Sequence, residues 1–136
     1  MEAIKLRQEL KNIICTDLSQ KVILVVDDIQ INYLLIKALL KQSGATVIWA
    51  ETGYKALELL DTGRKVDLVL MDYNMPGING YETTKLIKSK WNDLPVISQT
   101  AYTFGPEYEN IKEAYDDILL KPVTHSKLFD MIFKHI

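Results

Sequence analysis

The chain has 136 residues, a length that suits one domain with a single hydrophobic core. Its formal net charge is −2, so it lacks the basic excess of a protein that mainly binds nucleic acid. The one cysteine, Cys15, can form neither an internal disulfide nor a zinc site alone, which favours a reducing, cytoplasmic setting. No apolar run approaches the roughly 20 residues of a membrane span, so we expect no membrane contact by this segment.

The first 20 residues differ in pattern from the rest of the chain. Their apolar residues recur at helical spacing: Ala3, Leu6, Leu10 and Ile13. This pattern lasts less than two heptads, which favours a linker helix or a helix packed on the domain over a dimerising coiled coil. We therefore expect residues 1–20 to form a linker or helix and residues 21–136 to form the folded domain.

From residue 21 onward, short apolar runs alternate with segments of helical periodicity. The runs predict strands buried on both faces, at residues 22–26, 46–50, 67–71, 95–98 and 117–120. The periodic segments predict helices near residues 31–39, 53–60, 80–90, 108–115 and 128–136. Gly44 and Gly63 are typical of helix ends and Thr124 of an N-cap, while Leu86 and Ile87 are expected to face the core.

Five β-then-α units in series predict an α/β fold with a parallel sheet covered by helices on both faces. Right-handed crossovers and a doubly wound topology are the default for such units, and 2-1-3-4-5 is a common strand order, as in flavodoxin-like folds. Ligands of these folds bind beyond the carboxyl ends of the strands, where the first and third strands lie side by side. The functional residues should therefore lie at that edge.

Polar residues follow directly after the apolar runs at this edge. Asp27 and Asp28 end the first strand, Asp72 the third, Thr100 the fourth and Lys121 the fifth. The carboxylates of neighbouring strands repel one another, and Mg²⁺, which prefers oxygen ligands, would relieve that repulsion. A metal, a lysine and a hydroxyl in an acidic pocket suit phosphoryl transfer, and a carboxylate can serve as its nucleophile.

Four segments carry a resemblance to a known family: VILVVDD (22–28), LVLMDYNMPGINGYE (68–82), ISQTA (97–101) and LLKP (119–122). In order and approximate spacing they resemble the signature blocks of response regulator receiver domains. The resemblance covers about residues 21–136. It implies a phosphoacceptor domain of a two-component phosphorelay, which changes conformation on phosphorylation to regulate a partner or a linked output.

The resemblance assigns roles to individual residues. It implies that Asp72 accepts the phosphoryl group, that Asp28 binds Mg²⁺ directly and that Asp27 acts through metal-bound water. Asn74 would give its backbone carbonyl to the metal, whose ligands would then come from Asp27, Asp28, Asp72 and Asn74.

The resemblance also implies which residues bind the phosphoryl group and shape the neighbouring loop. Thr100 and Lys121 would hold that group, and a cis Lys121–Pro122 bond would aim the lysine inward. Pro76 and Gly77 would shape the loop after the third strand. Such a domain catalyses only its own phosphorylation and dephosphorylation and is not otherwise an enzyme.

The implied partner is a histidine kinase or a histidine phosphotransfer protein. The leading segment resembles the connector of hybrid histidine kinases, which favours a kinase core linked in the same chain.

Four aromatic residues near the fourth helix, fifth strand and fifth helix allow two interpretations: Tyr108, Tyr115, Phe129 and Phe133. Either they form an exposed face for a partner or a weak dimer, or at least one Phe is buried.

The sequence also departs from the family pattern. Ile118 stands where receiver domains commonly have Tyr or Phe, and Ala114–Tyr115 replaces a frequent Gly-Ala pair, which leaves the output mechanism open.

Three other functions remain as alternatives. A flavin-binding module would need a Ser-, Thr- and Gly-rich loop after the first strand, and an aspartyl-phosphate hydrolase would need D-x-D there. A degenerate receiver would act only as a protein-interaction module.

Overall fold

The apolar runs form one parallel sheet in the computed structural model, which describes residues 2–6, 17–75 and 77–136. Its strands are β1 (Val22–Val26), β2 (Thr46–Ala50), β3 (Leu68–Asp72), β4 (Val96–Thr100) and β5 (Asp117–Leu120). Their order is β2-β1-β3-β4-β5, and every pairing is parallel. The structure therefore confirms the doubly wound, flavodoxin-like α/β fold.

Helices alternate with the strands along the described chain. They are α1 (Gln30–Leu39), α2 (Gly53–Asp61), α3 (Gly80–Lys90), α4 (Gly105–Ala114) and α5 (His125–His135). A short 3-10 turn, Lys41–Ser43, extends α1 and ends at Gly44, whose φ of 81° suits glycine. The predicted N-cap is confirmed at Thr124, whose hydroxyl accepts a hydrogen bond from the Lys127 N–H at 3.3 Å. None of the helices in the described ranges is long and apolar enough to cross a membrane.

Each face of the sheet has its own hydrophobic core, because successive side chains of a strand point to opposite faces. The α1–α5 core lies on one face and includes Ile23, Val25, Ile36, Leu68, Leu70, Leu128, Phe129 and Ile132. The α2–α4 core lies on the other and includes Leu24, Val26, Ala56, Val69, Met71, Ile87, Val96, Ile111 and Tyr115. All five residues of β3 are buried, so the central strand is covered by helices on both sides.

The chain enters the domain at Leu18, which is buried in the α1–α5 core. Its N–H donates a hydrogen bond to the Ser43 carbonyl at 2.8 Å. Residues 2–6 are helical and exposed, which agrees with the predicted helical periodicity around Leu6. Leu10, Ile13 and Cys15 lie outside the described residues, so the linker assigned to residues 1–20 stays a prediction.

One expectation about a helix face is wrong. Leu86 is 48% exposed, and only its neighbour Ile87 faces the core. On α1, Leu34 and Leu35 are also exposed, and Ile36 is the buried residue. A helix face is set by the elements that pack on it, which apolar spacing alone does not identify.

The aromatic residues near the last helices divide between core and surface. Phe129 and Tyr115 are each only 7% exposed, whereas Phe133 is 37% exposed. The interpretation in which at least one Phe is buried is therefore the correct one. Tyr115 lies just past the end of α4 instead of within it.

Asp117, the first residue of β5, anchors the end of α5. Its carboxylate accepts hydrogen bonds from His135 Nε2 at 2.8 Å and from Lys134 Nζ at 2.9 Å. Burial raises the pKa of Asp117, but these donors and the Ile118 N–H outweigh it and hold the pKa at about 2. The ionised carboxylate therefore stabilises the folded state.

We predict that Asp117→Asn lowers the free energy of unfolding by about 1 kcal/mol at pH 7, because a partly exposed ion pair is lost. Since folding depresses this pKa from 3.8 to about 2, the loss should be full above pH 4 and fade as the pH falls toward 2. Urea denaturation at pH 7 and pH 3 measures it. Asp130→Asn, at an exposed carboxylate of α5, is the control. Equal losses of the free energy of unfolding in the two variants at pH 7 would contradict the prediction.

Candidate functional site

Three carboxylates meet at the carboxyl edge of the sheet. Asp27 and Asp28 follow β1, and Asp72 ends β3, the strand paired directly with β1. Each residue offers a carboxylate oxygen that lies within 4.8 Å of the other two. The predicted convergence is therefore present, and these carboxylates are close enough to hold one metal ion between them.

Asp27 is fully buried and held in a fixed orientation. One carboxylate oxygen accepts the Ile29 N–H at 2.9 Å, and the other accepts the Asn32 side-chain amide at 3.1 Å. Burial raises the pKa of Asp27, and these two hydrogen bonds oppose that rise. Asp28, by contrast, is exposed, so its carboxylate can turn toward an ion from the solvent side.

Asp72 has the most perturbed acidity of the cluster. It is 7% exposed, and its carboxylate lies 3.4 Å from the Lys121 ammonium. Burial raises the pKa of Asp72 to about 6; Lys121 counteracts the rise, and the charge of Asp27 adds to it. Without a cation, this site therefore holds more negative charge than its one lysine balances.

Thr100 and Lys121 lie beside each other on the ends of neighbouring strands. The Lys121 N–H donates to the Thr100 carbonyl at 2.9 Å, and the Lys121–Pro122 bond is cis, as predicted. The Thr100 hydroxyl accepts the Tyr102 N–H at 3.0 Å, which leaves its own proton available to donate. Since Asp72 pairs with Gln99, Thr100 lies one residue beyond the level of Asp72.

Asn74 lies in the loop after β3, two residues past Asp72. Its exposed side-chain amide donates to the Tyr102 hydroxyl at 3.1 Å, which joins the loops that follow β3 and β4. The rings of Tyr73 and Tyr102 meet edge to face, with centroids 5.7 Å apart. Sequence reasoning missed Tyr102, since no periodic or motif signal places it against Asn74.

The start of α3 packs closely against the backbone of Asp72. The Gly80 N–H donates to the Tyr73 carbonyl at 3.1 Å, and a side chain at Gly80 would overlap the Asp72 carbonyl oxygen. The Asn79 side chain caps α3 by accepting the Glu82 N–H at 2.8 Å. Glycine at this position therefore lets the helix contact the peptide of the central carboxylate.

The arrangement has the donor set of a hard-cation site. Carboxylate oxygens are the ligands that Mg²⁺ and Ca²⁺ prefer, and three of them here share one small region. The Lys121 ammonium adds a positive charge beside the buried carboxylate, which suits an incoming anion such as a phosphoryl group. The residues present thus fit both a divalent cation and phosphoryl chemistry.

Comparison with known proteins decides the family. The family described as "Response regulator receiver domain" matches residues 23–133. The chain belongs to this family. It is a receiver domain of two-component signal transduction, as its sequence motifs predict.

The receiver domain is similar to parts of curated proteins and to solved structures. It is 35% identical over 119 residues to the sensor histidine kinase GacS of Pseudomonas protegens, covering 82% of the chain and 13% of that kinase. It is 35% identical over 114 residues to the two-component response regulator ARR7 of Arabidopsis thaliana, covering 74% and 55%. The chemotaxis protein CheY4 of Vibrio cholerae shares its fold, with a TM-score of 0.78 and 24% identity over 85% of this chain and 98% of that one.

We predict that Asp72→Asn stabilises the receiver domain without metal, because it removes a buried charge that the fold disfavours. The folded-state pKa of about 6 exceeds the ordinary value of 3.8, so the penalty is absent below pH 4 and full above pH 6. At pH 8 the variant should gain about 1–3 kcal/mol in free energy of unfolding.

Urea denaturation at pH 8, with and without Mg²⁺, measures this gain. Saturating Mg²⁺ should stabilise the wild type more than the variant. The difference in free energy of unfolding between the two proteins should therefore become smaller. Asp93→Asn, at an exposed carboxylate away from the cluster, is the control and should change little. An Asp72→Asn variant less stable than the wild type at pH 8 in chelator would contradict the prediction.

Proposed function

We propose that Asp72 accepts a phosphoryl group from a phosphohistidine in a Mg²⁺-dependent reaction. The observation that supports this most strongly is the meeting of three carboxylates within 4.8 Å, with the Lys121 ammonium 3.4 Å from Asp72. Family membership gives independent support. Phosphoryl transfer needs mainly positioning and charge neutralisation, and this set of groups is suited to both.

In the proposed reaction, a carboxylate oxygen of Asp72 attacks phosphorus in line with the leaving imidazole nitrogen. The P–O bond forms as the P–N bond breaks, and the imidazole departs with the bonding electron pair. The product is an acyl phosphate on Asp72. The raised pKa of Asp72 agrees with a carboxylate that is poorly compensated at rest and gains from an incoming electrophile.

The remaining site residues have proposed roles in binding. Asp28 would ligate Mg²⁺ directly, and Asp27, whose oxygens already accept two hydrogen bonds, would act through water. The backbone carbonyl of Asn74 would complete the protein's share of ligands. Bound Mg²⁺ would neutralise the carboxylates and the oxygens of the transferred group.

Lys121 and Thr100 are proposed to hold the phosphoryl group once it arrives. The ammonium of Lys121 would move its pairing from Asp72 to a phosphoryl oxygen, and the hydroxyl of Thr100 would donate to another. Phosphorylation would then shift the loops after β3 and β4, which are joined through Asn74 and Tyr102. That shift is the proposed signal to a partner or a linked output.

The proposed phosphodonor is a histidine kinase or a histidine phosphotransfer protein. Because the chain spans 13% of GacS and 55% of ARR7, both a linked kinase core and a separate kinase are compatible with these relatives. We also propose a weak dimer through α4, β5 and α5, to which the exposed ring of Phe133 would contribute.

The alternatives are less well supported. A flavin phosphate would meet the carboxylates of Asp27 and Asp28 in the loop after β1, which would repel it. A hydrolase with D-x-D would place its nucleophile after β1, whereas the most perturbed carboxylate is Asp72 on β3. A degenerate receiver would lack part of the site, but Asp27, Asp28, Asp72, Thr100 and Lys121 are all present.

We predict that incubation with Mg²⁺ and acetyl phosphate adds the mass of one phosphoryl group to the protein, as measured by intact mass spectrometry. Asp72→Asn and chelation of the metal should each abolish the gain. Lys121→Gln should slow it about tenfold or more, because a charge beside the transferred group is lost. Asp130→Asn serves as the control and should react like the wild type.

The result that would count against the proposal is no mass gain in the wild type, or an equal gain in Asp72→Asn. The first outcome would favour the degenerate receiver, which only binds other proteins. The second would move the phosphoacceptor to another residue.

A further inference from the structure

Tyr115 is a buried phenol directly behind the carboxylate site. It follows the last residue of α4, is 7% exposed and belongs to the α2–α4 core. Burial raises its pKa, so the hydroxyl stays protonated and can donate a hydrogen bond. It therefore brings a polar atom into an otherwise apolar interior.

The hydroxyl of Tyr115 lies close to the backbone of Asp72. A Cβ placed on Gly80 would lie 2.7 Å from the Tyr115 hydroxyl and would overlap the Asp72 carbonyl oxygen. Both oxygens thus border the same narrow gap at the start of α3. The phenol and the peptide that follows Asp72 thus lie beside the same space, which the missing side chain of Gly80 leaves open.

The hydroxyl groups of Tyr115 and Thr84 lie close together beside this gap. The Thr84 hydroxyl, one turn along α3, is a close neighbour of the Tyr115 hydroxyl and opposes the rise in its pKa, but neither hydroxyl has a partner at hydrogen-bond geometry within residues 2–6, 17–75 and 77–136. Buried hydroxyls without partners are costly, so a small movement that pairs them is favourable.

We propose that Tyr115 is a positioning residue that couples the state of Asp72 to α4. This inference rests on the phosphoacceptor function proposed for Asp72. When Mg²⁺ and a phosphoryl group occupy the site, the end of β3 and the start of α3 shift relative to Tyr115, and the Tyr115 hydroxyl donates a hydrogen bond to the Asp72 carbonyl. Ile118, which is apolar, cannot make such a bond, whereas Tyr115 sits at the junction of α4 and β5 and can report it to both.

The test compares variants that remove one hydroxyl without changing shape. Tyr115→Phe and Thr84→Val delete the two unpaired oxygens, and Tyr108→Phe is the matched control on α4. The dissociation constant for beryllofluoride, a phosphoryl mimic that binds carboxylates, is measured by calorimetry at saturating Mg²⁺. Hydrogen exchange of the α4 amides is measured with and without the mimic.

Tyr115→Phe should weaken beryllofluoride binding by about fivefold, the value of one net hydrogen bond, while Tyr108→Phe leaves it unchanged. The change in α4 exchange on loading should shrink in Tyr115→Phe. Thr84→Val should show a smaller effect that does not add to that of Tyr115→Phe, since the two hydroxyls share one gap.

Equal affinity and equal exchange in Tyr115→Phe and Tyr108→Phe would overturn the inference and leave the proposed function intact. A purely structural phenol would change the melting temperature but not the response of α4 to loading. If the wild type takes up neither beryllofluoride nor a phosphoryl group, the proposed function fails, and this inference fails with it.

Discussion

The pairing of β1 with β3, which brings three mutually repelling carboxylates together, is the constraint on which the rest of the structure depends. Asp27, Asp28 and Asp72 are brought together by the pairing of β1 with β3, and that pairing is fixed by buried apolar side chains on both faces. Hydrophobic burial thus stabilises the sheet strongly enough to hold like charges within a few ångströms. The fold therefore holds together a site in which one lysine leaves part of the negative charge unbalanced.

The cluster combines fixed and movable groups. Asp27 is held by two hydrogen bonds, and its backbone carbonyl accepts a third from the Trp49 indole at 2.8 Å. Among the residues that the structure describes, the carboxylate of Asp72 has only the long contact with Lys121, whose side chain is 36% exposed. A new charge on Asp72 would therefore redirect Lys121 more readily than it would disturb Asp27. The β1 side of the site would then stay constant while the β3 side changes.

The sheet and its acidic edge could be predicted from the sequence because both follow from local patterns. Continuous apolar runs identify buried parallel strands, and a polar residue at the end of such a run must lie at the carboxyl edge. The expectation that Leu86 faces the core is wrong because the inward face of a helix depends on the elements that pack against it in space. The contact of Asn74 with Tyr102, and of Tyr115 with the start of α3, joins residues far apart in sequence that share no periodicity.

The side chain and the carbonyl group of Asp72 are associated with different cores of the sheet. Its side chain has the strand parity of Leu68 and Leu70, which lie in the α1–α5 core. Its carbonyl borders Gly80 and Tyr115, and Tyr115 lies in the α2–α4 core. Because the strand separates the two cores, the proposed coupling carries a change of charge on the carboxylate to α4 through the peptide that ends β3, which borders Gly80.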